Sequence, residues 1–125
     1  MNISRSFVLA GTVFLIVGIG FGIHMGASGK HDFAPLHAHL NLLGFVLPMV
    51  FALTYRSFPE MGESRLAGFH FWLHMVPAAV LLVMLFLLLS GAITEAGMFP
   101  VAPIAELLIF VGALMFLANA AKNAF

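Results

Sequence analysis

Four long runs of apolar residues, separated by short polar connections, constrain this chain more than any other feature. The runs cover residues 6–23, 35–55, 66–90 and 100–121. Each is near the roughly 20 residues that an α-helix needs to cross a ~30 Å hydrocarbon core. The runs are continuous rather than alternating, and lipid offers no partner to an unpaired backbone group, so helices are favoured over a β-barrel. The sequence predicts an all-α, up-down bundle of four transmembrane helices, forming a single integral-membrane domain over residues 1–125.

The few charged residues predict the orientation of this bundle. Charged residues make up 8% of the chain, against 62% hydrophobic residues, and the formal net charge is zero. Arg5, Arg56, Arg65 and Lys122 fall on one side of the four-helix arrangement and only Lys30 on the other. Because basic residues concentrate on the cytoplasmic side, we expect both termini in the cytoplasm of a bacterial inner membrane. The four helices are then in contact with membrane lipid. The chain has no basic patch, so no nucleic-acid partner is expected.

Two histidines and an asparagine lie near the outer end of the second run, as His37, His39 and Asn41. On an α-helix, residues two apart point about 200° around the axis from one another. The two imidazoles should therefore face opposite sides and bind two neighbouring cofactors, or one cofactor on each side of the helix. The chain has no cysteine, which excludes thiolate metal sites and c-type haem attachment.

Three further ionisable residues lie within the apolar runs, where they are costly and indicate function. His70 and His74 share one face of the third helix, and we expect them near the inner interface, within reach of water. The helical rise separates them from the outer pair by on the order of 10 Å, so a compact four-histidine metal site is not expected. They remain candidates for a second cofactor. Glu106 matches the outer pair in depth, and Glu106 and Asn41 are the candidates to orient a ligating imidazole.

Glycine and proline predict how the helices pack. Gly18 and Gly22 form a GxxxG pair, which is typical of close contact between membrane helices. Pro48 lacks a backbone N–H, so we expect a kink in the second helix one or two turns below the histidines.

The run Pro35-Leu36-His37, followed by Gly44 and an aliphatic helix that ends at Tyr55-Arg56, resembles a helix of known haem proteins. It is similar to the second helix of the catalytic subunit of cbb3-type oxidases, in the haem-copper oxidase superfamily, where the matching histidine ligates a low-spin haem. His37-Ala38-His39 also resembles that superfamily's tenth helix, where an HxH motif gives one histidine to each of two haems. NnrS-type nitric oxide-response proteins are similar over the same stretch. The resemblance implies b-type haem, with His37, His39 and Gly44 as the cofactor-binding residues.

The resemblance also has a geometric implication. That catalytic subunit has twelve helices in three arcs of four, and this chain has the size of one arc. A homotrimer would then place His37 of one chain and His39 of the next on either side of a haem at each interface, and a homodimer is the alternative. The family's copper ligands lie near the outer end of an arc's third helix, whereas His70 and His74 lie in the inner half, so the copper site is not carried over.

The sequence therefore predicts a membrane protein that binds haem b and acts in electron transfer or in binding oxygen or nitric oxide. A quinol or a cytochrome is the expected redox partner, and whether the chain is an oxidoreductase stays open. One alternative is a copper or zinc binding or transport protein that uses imidazole and thioether groups near the outer face. Those groups belong to His24, Met25, His31, His37 and His39. A structural accessory subunit is the third class.

Overall fold

The computed structural model describes all 125 residues, and its secondary structure is helical throughout. Four spans are long and apolar enough to cross a membrane, which confirms the four predicted helices. The helices are α1 (Ile3–Ser28), α2 (Ala34–His39), α3 (Leu47–Ser57), the short α4 (Pro59–Glu63), α5 (Arg65–Leu89) and α6 (Val101–Asn123). A π-helical segment (Leu40–Val46) joins α2 to α3, so that Ala34–Ser57 forms one continuous second span. A 3₁₀ turn (Glu95–Met98) precedes α6.

Polar residues set the ends of these helices. The Asn2 side chain accepts a hydrogen bond from the Arg5 N–H, and Gly29 ends α1 with a positive φ of 69°, which glycine adopts without strain. The Ser64 hydroxyl accepts a hydrogen bond from the Leu66 N–H at the start of α5. The first span is consequently longer at both ends than the apolar run alone predicts.

The helices pack mainly as two pairs, in which α1 lies along the second span and α5 lies along α6. Helix α5 also contacts α1, α2 and the π segment, and so joins the pairs. The main core cluster draws on the start of α1, the end of the second span, the short α4 and the start of α5. Its members are Ile3, Phe7, Ala52, Tyr55, Met61, Ala67, Phe71 and Met75. Phe116 and Ala120 of α6 pack against it.

Large apolar side chains are exposed on all four spans. Ile23, Leu53, Trp72 and Leu117 each expose more than half of their surface, at 67%, 67%, 57% and 64%. Such surface is rare around a water-soluble chain but is what lipid requires. The four spans and their apolar exterior indicate a multi-pass membrane protein in contact with lipid.

Candidate functional site

His37 is held against the first helix. Its Nδ1 lies 2.7 Å from the carbonyl oxygen of Gly18. A carbonyl oxygen only accepts, so Nδ1 must carry the proton, and the neutral ring then has its lone pair on Nε2. The side chain is half-buried between α2 and α1.

The predicted GxxxG pair makes this approach possible. A Cβ atom at Gly22 would lie 2.9 Å from Cε1 of His37, and one at Gly18 would overlap Oδ1 of Asn41. Gly22 therefore leaves room for His37, and Gly18 leaves room for Asn41 and Leu40. Close helix contact at this pair is as predicted.

His39 points away from this contact and is exposed. Its Nδ1 lies 2.7 Å from the carbonyl oxygen of Pro35, one turn earlier in the same helix. The same reasoning assigns the proton to Nδ1 and the lone pair to Nε2. The two imidazoles thus share one tautomer and lie on different sides of the helix, as the helical geometry predicts.

Asn41 and Gly44 both lie at the contact with α1. The amide Nδ2 of Asn41 is 3.5 Å from Nε2 of His37, while its buried Oδ1 has no hydrogen-bond partner in the protein. Asn41 is therefore next to His37. A Cβ atom at Gly44 would lie 2.7 Å from the Phe14 side chain, so this buried glycine allows close packing of the π segment on α1.

His70 and His74 are both buried, with 0% and 3% of their surfaces exposed. The prediction that they lie within reach of water is therefore wrong. Apolar side chains from other helices cover them, including Phe7 of α1, Phe51 of α3 and, against His70, Phe116 of α6. The ring centroids of the two histidines are 6.1 Å apart.

His70 and His74 each bond to the second span. Nδ1 of His70 is 2.9 Å from the hydroxyl of Tyr55, whereas its Nε2 is buried without a hydrogen-bond partner in the protein. Nε2 of His74 donates to the carbonyl oxygen of Leu43 at 2.9 Å. The two bonds attach α5 to α3 and to the π segment.

The π segment explains why the Leu43 carbonyl is available. The Leu47 N–H, which would donate to Leu43 in a regular α-helix, donates to Leu42 instead. In the π register the donor to Leu43 would be residue 48, and Pro48 has no N–H. His74 supplies the missing donor. A π-helical segment thus lies immediately before Pro48, where the sequence predicts a kink.

Glu106 lies exposed on α6, whose main packing partner is α5 rather than the second span. The structure therefore brings His37 together with Asn41, and His70 with His74, but does not place Glu106 beside the outer pair within one chain. His24 and His31 are exposed and Met25 is buried. No three histidine, cysteine or carboxylate side chains lie together so that they could hold a metal ion.

Sequence reasoning missed Tyr55 and Asn119. Tyr55 is buried and bonded to His70, and Asn119 is fully buried with its Nδ2 donating to the Met61 carbonyl at 3.0 Å. Tyr55 precedes Gly62 by about as many residues as His70 follows it. In an antiparallel helical hairpin that turns near Gly62, two such residues lie opposite one another. That spacing was a usable signal.

The His70–His74 pair lies inside the bundle, whereas His39 is exposed on its outside. His39 uses only Nδ1 in hydrogen bonds within the protein, and Nε2 of His37 is 3.5 Å from the Asn41 amide. No family model matches this chain, and no curated protein or solved structure shows significant similarity to it.

Proposed function

We propose that this chain is an integral-membrane protein that binds b-type haem through His37 and His39. The observation that carries the proposal is the shared tautomer of the two imidazoles. Each donates its Nδ1–H to a backbone carbonyl, which fixes the ring and leaves the Nε2 lone pair for a metal. Metal-ligating histidines typically have their second nitrogen bonded in this way.

A haem suits the separation of the two histidines better than a compact metal site does. Haem iron needs only one or two axial imidazoles, whereas a structural zinc site takes about four ligands at ~2 Å. His39 meets this requirement directly because its imidazole is exposed. Leu42 and Val46, further along the same span, are exposed apolar side chains. They offer the apolar surroundings that a porphyrin plane needs.

His37 needs one adjustment to serve as a ligand. Its Nε2 faces the amide of Asn41 at 3.5 Å, which is at the limit of a hydrogen bond and therefore weak. Rotation of the Asn41 side chain would free this nitrogen without breaking the bond between His37 and Gly18. Asn41 then remains close enough to influence the ligand.

Bound haem would supply one-electron chemistry or a binding site for oxygen or nitric oxide, with a quinol or a cytochrome as electron donor. The chain's part is to hold the ligand nitrogens at fixed orientations within an apolar exterior. The resemblance to haem-copper oxidases supports the same assignment.

We further propose an up-down bundle with both termini in the cytoplasm of a bacterial inner membrane, and a ring of three chains. The gathering of the start of α1, the end of α3 and the start of α5 in one cluster supports alternating helix directions. A ring supports the use of both histidines, because His37 of one chain and the exposed His39 of the next could then ligate one haem.

Optical spectra of the purified protein and of alanine variants test the proposal. His39 is exposed and bonds only within its own helix, so His39→Ala should change stability by less than about 0.5 kcal/mol. We expect loss of the Soret band or a change from six- to five-coordinate haem in both His37→Ala and His39→Ala. His31→Ala, at an exposed position before α2, is the matched control and should retain the wild-type spectrum. Full six-coordinate haem in both variants would refute the ligand assignment.

The oligomer is tested by native mass spectrometry in mild detergent, together with the haem-to-protein ratio. Three chains with three haems are expected. Mixing His37→Ala chains with His39→Ala chains should restore part of the haem binding, because some interfaces then carry both ligands. A monomer with full six-coordinate haem would rule out the shared site, and stoichiometric copper without a Soret band would favour the copper-binding alternative.

A further inference from the structure

A second polar group, separate from the outer histidines, runs through the core between α3 and α5. It begins at Tyr55, whose hydroxyl is 2.9 Å from Nδ1 of His70. His70 is fully buried, and its Nε2 has no hydrogen-bond partner in the protein. A buried polar atom without a partner costs free energy that an apolar side chain would not. Packing alone therefore does not account for a histidine here.

His74 continues this group one helical turn further. Its Nε2–H is committed to the Leu43 carbonyl, so the neutral ring carries its lone pair on Nδ1. The ring centroids of His70 and His74 are 6.1 Å apart. The Leu43 carbonyl, which the π segment leaves without a backbone donor, is also well placed to stabilise a positive charge on His74.

The group starts at a polar cleft. A cleft of about 570 Å³ opens at the end of the bundle where α1 begins and α3 ends. Tyr55 forms part of its wall, beside Asn2, Arg56, Glu63 and Arg65. Beyond Tyr55 the surroundings change at once, because Phe7, Phe51 and Phe116 enclose His70. The titratable side chains found against His70 are Tyr55 from α3 and His74 from its own helix.

We infer that Tyr55, His70 and His74 form a proton relay from the cleft into the middle of the bundle. The Tyr55 hydroxyl gives its proton to Nδ1 of His70, and the proton on Nε2 of His70 passes through one bridging water molecule to Nδ1 of His74. A proton from water in the cleft then restores the tyrosine hydroxyl. The net result is one proton moved from the cleft to His74, which becomes an imidazolium bonded to the Leu43 carbonyl.

Hydrogen exchange at the two imidazoles tests the relay in the full-length protein. Histidine is labelled with ¹⁵N, the protein is placed in lipid nanodiscs, and NMR follows the ring N–H signals after transfer to D₂O. In Tyr55→Phe the relay loses its first member, and replacement of the ring protons by deuterons should slow by at least about tenfold. A purely structural role predicts the opposite, because exchange then depends on local opening and losing a hydrogen bond makes opening easier.

Two further variants make the result decisive. Phe116→Leu loosens the packing next to His70 without removing a polar group, so its exchange should be unchanged or faster. His70→Phe replaces the orphaned nitrogen with an apolar ring and should slow exchange at His74, while helical circular dichroism verifies folding. Exchange that is unchanged or faster in both Tyr55→Phe and His70→Phe would overturn the relay. The measurement needs no haem, so its outcome is independent of the function proposed above.

Discussion

Replacing Gly22 with alanine tests the contact between His37 and the first helix. A Cβ atom at this position would lie 2.9 Å from Cε1 of His37. The ring has little freedom to move aside, because Nδ1 is bonded to the Gly18 carbonyl at 2.7 Å. Gly22→Ala must therefore either separate α1 from the second span or break that hydrogen bond.

Gly20 provides a matched control two residues away on the same helix. A Cβ atom there would have no neighbour within 4 Å. Both substitutions gain the same helix propensity, about 0.5–1 kcal/mol over glycine, and this gain cancels when the two variants are compared. The difference between them measures the steric effect alone. Overpacking typically costs about 1–3 kcal/mol, so Gly22→Ala should be less stable than Gly20→Ala by that amount.

Unfolding in mixed micelles supplies the measurement, with the denaturing detergent raised stepwise and helix content followed by circular dichroism. Gly20→Ala should unfold at or above the wild-type midpoint and Gly22→Ala below it. Equal midpoints for the two alanine variants would show that α1 and His37 do not approach as closely as described.

Two other predictions concern orientation and the π segment. Cysteines introduced by Ser28→Cys and Gly62→Cys should be labelled from opposite sides of the membrane, the second only from the cytoplasm, and periplasmic labelling of the second would contradict the proposed orientation. Pro48→Ala supplies an N–H that can reach the Leu43 carbonyl, so His74→Leu should destabilise the Pro48→Ala protein less than the wild type. We expect a coupling of about 0.5–1.5 kcal/mol in a double-mutant cycle of unfolding midpoints, and strict additivity would count against the shared acceptor.

The helices and the opposition of His37 and His39 could be predicted from the sequence because both depend on geometry within one segment. Span length follows from the bilayer, and the angle between two side chains follows from the helical repeat. The predicted bounds of the first helix, residues 6–23, differ more from the structure, because the ends of α1 depend on capping by Asn2 and Gly29.

The inward sides of the helices could not be predicted in the same way. A membrane helix is apolar all round, so no amphipathic stripe shows which residues meet a neighbour. Phe69 and Trp72 are 59% and 57% exposed, whereas Phe71 and His70, between them in sequence, are buried. The sequence alone therefore does not distinguish aromatic side chains at the membrane interface from aromatic side chains in the core. The spacing about the hairpin brings Tyr55 and His70 to the same level, but their bond and that of His74 also depend on the rotation of α5 against the second span, which the spacing does not give.

The π segment has a consequence for how the second span could change. An α-helix turns by about 100° per residue, so deleting one residue between Leu40 and Val46 would restore a regular helix and swing His37 and His39 around the axis by that angle. Tyr55, on the far side of the segment, would keep its place. A single insertion or deletion in this segment can therefore rotate the outer histidines about the helix axis. The inner half of the span keeps its hydrogen bond to α5 through Tyr55.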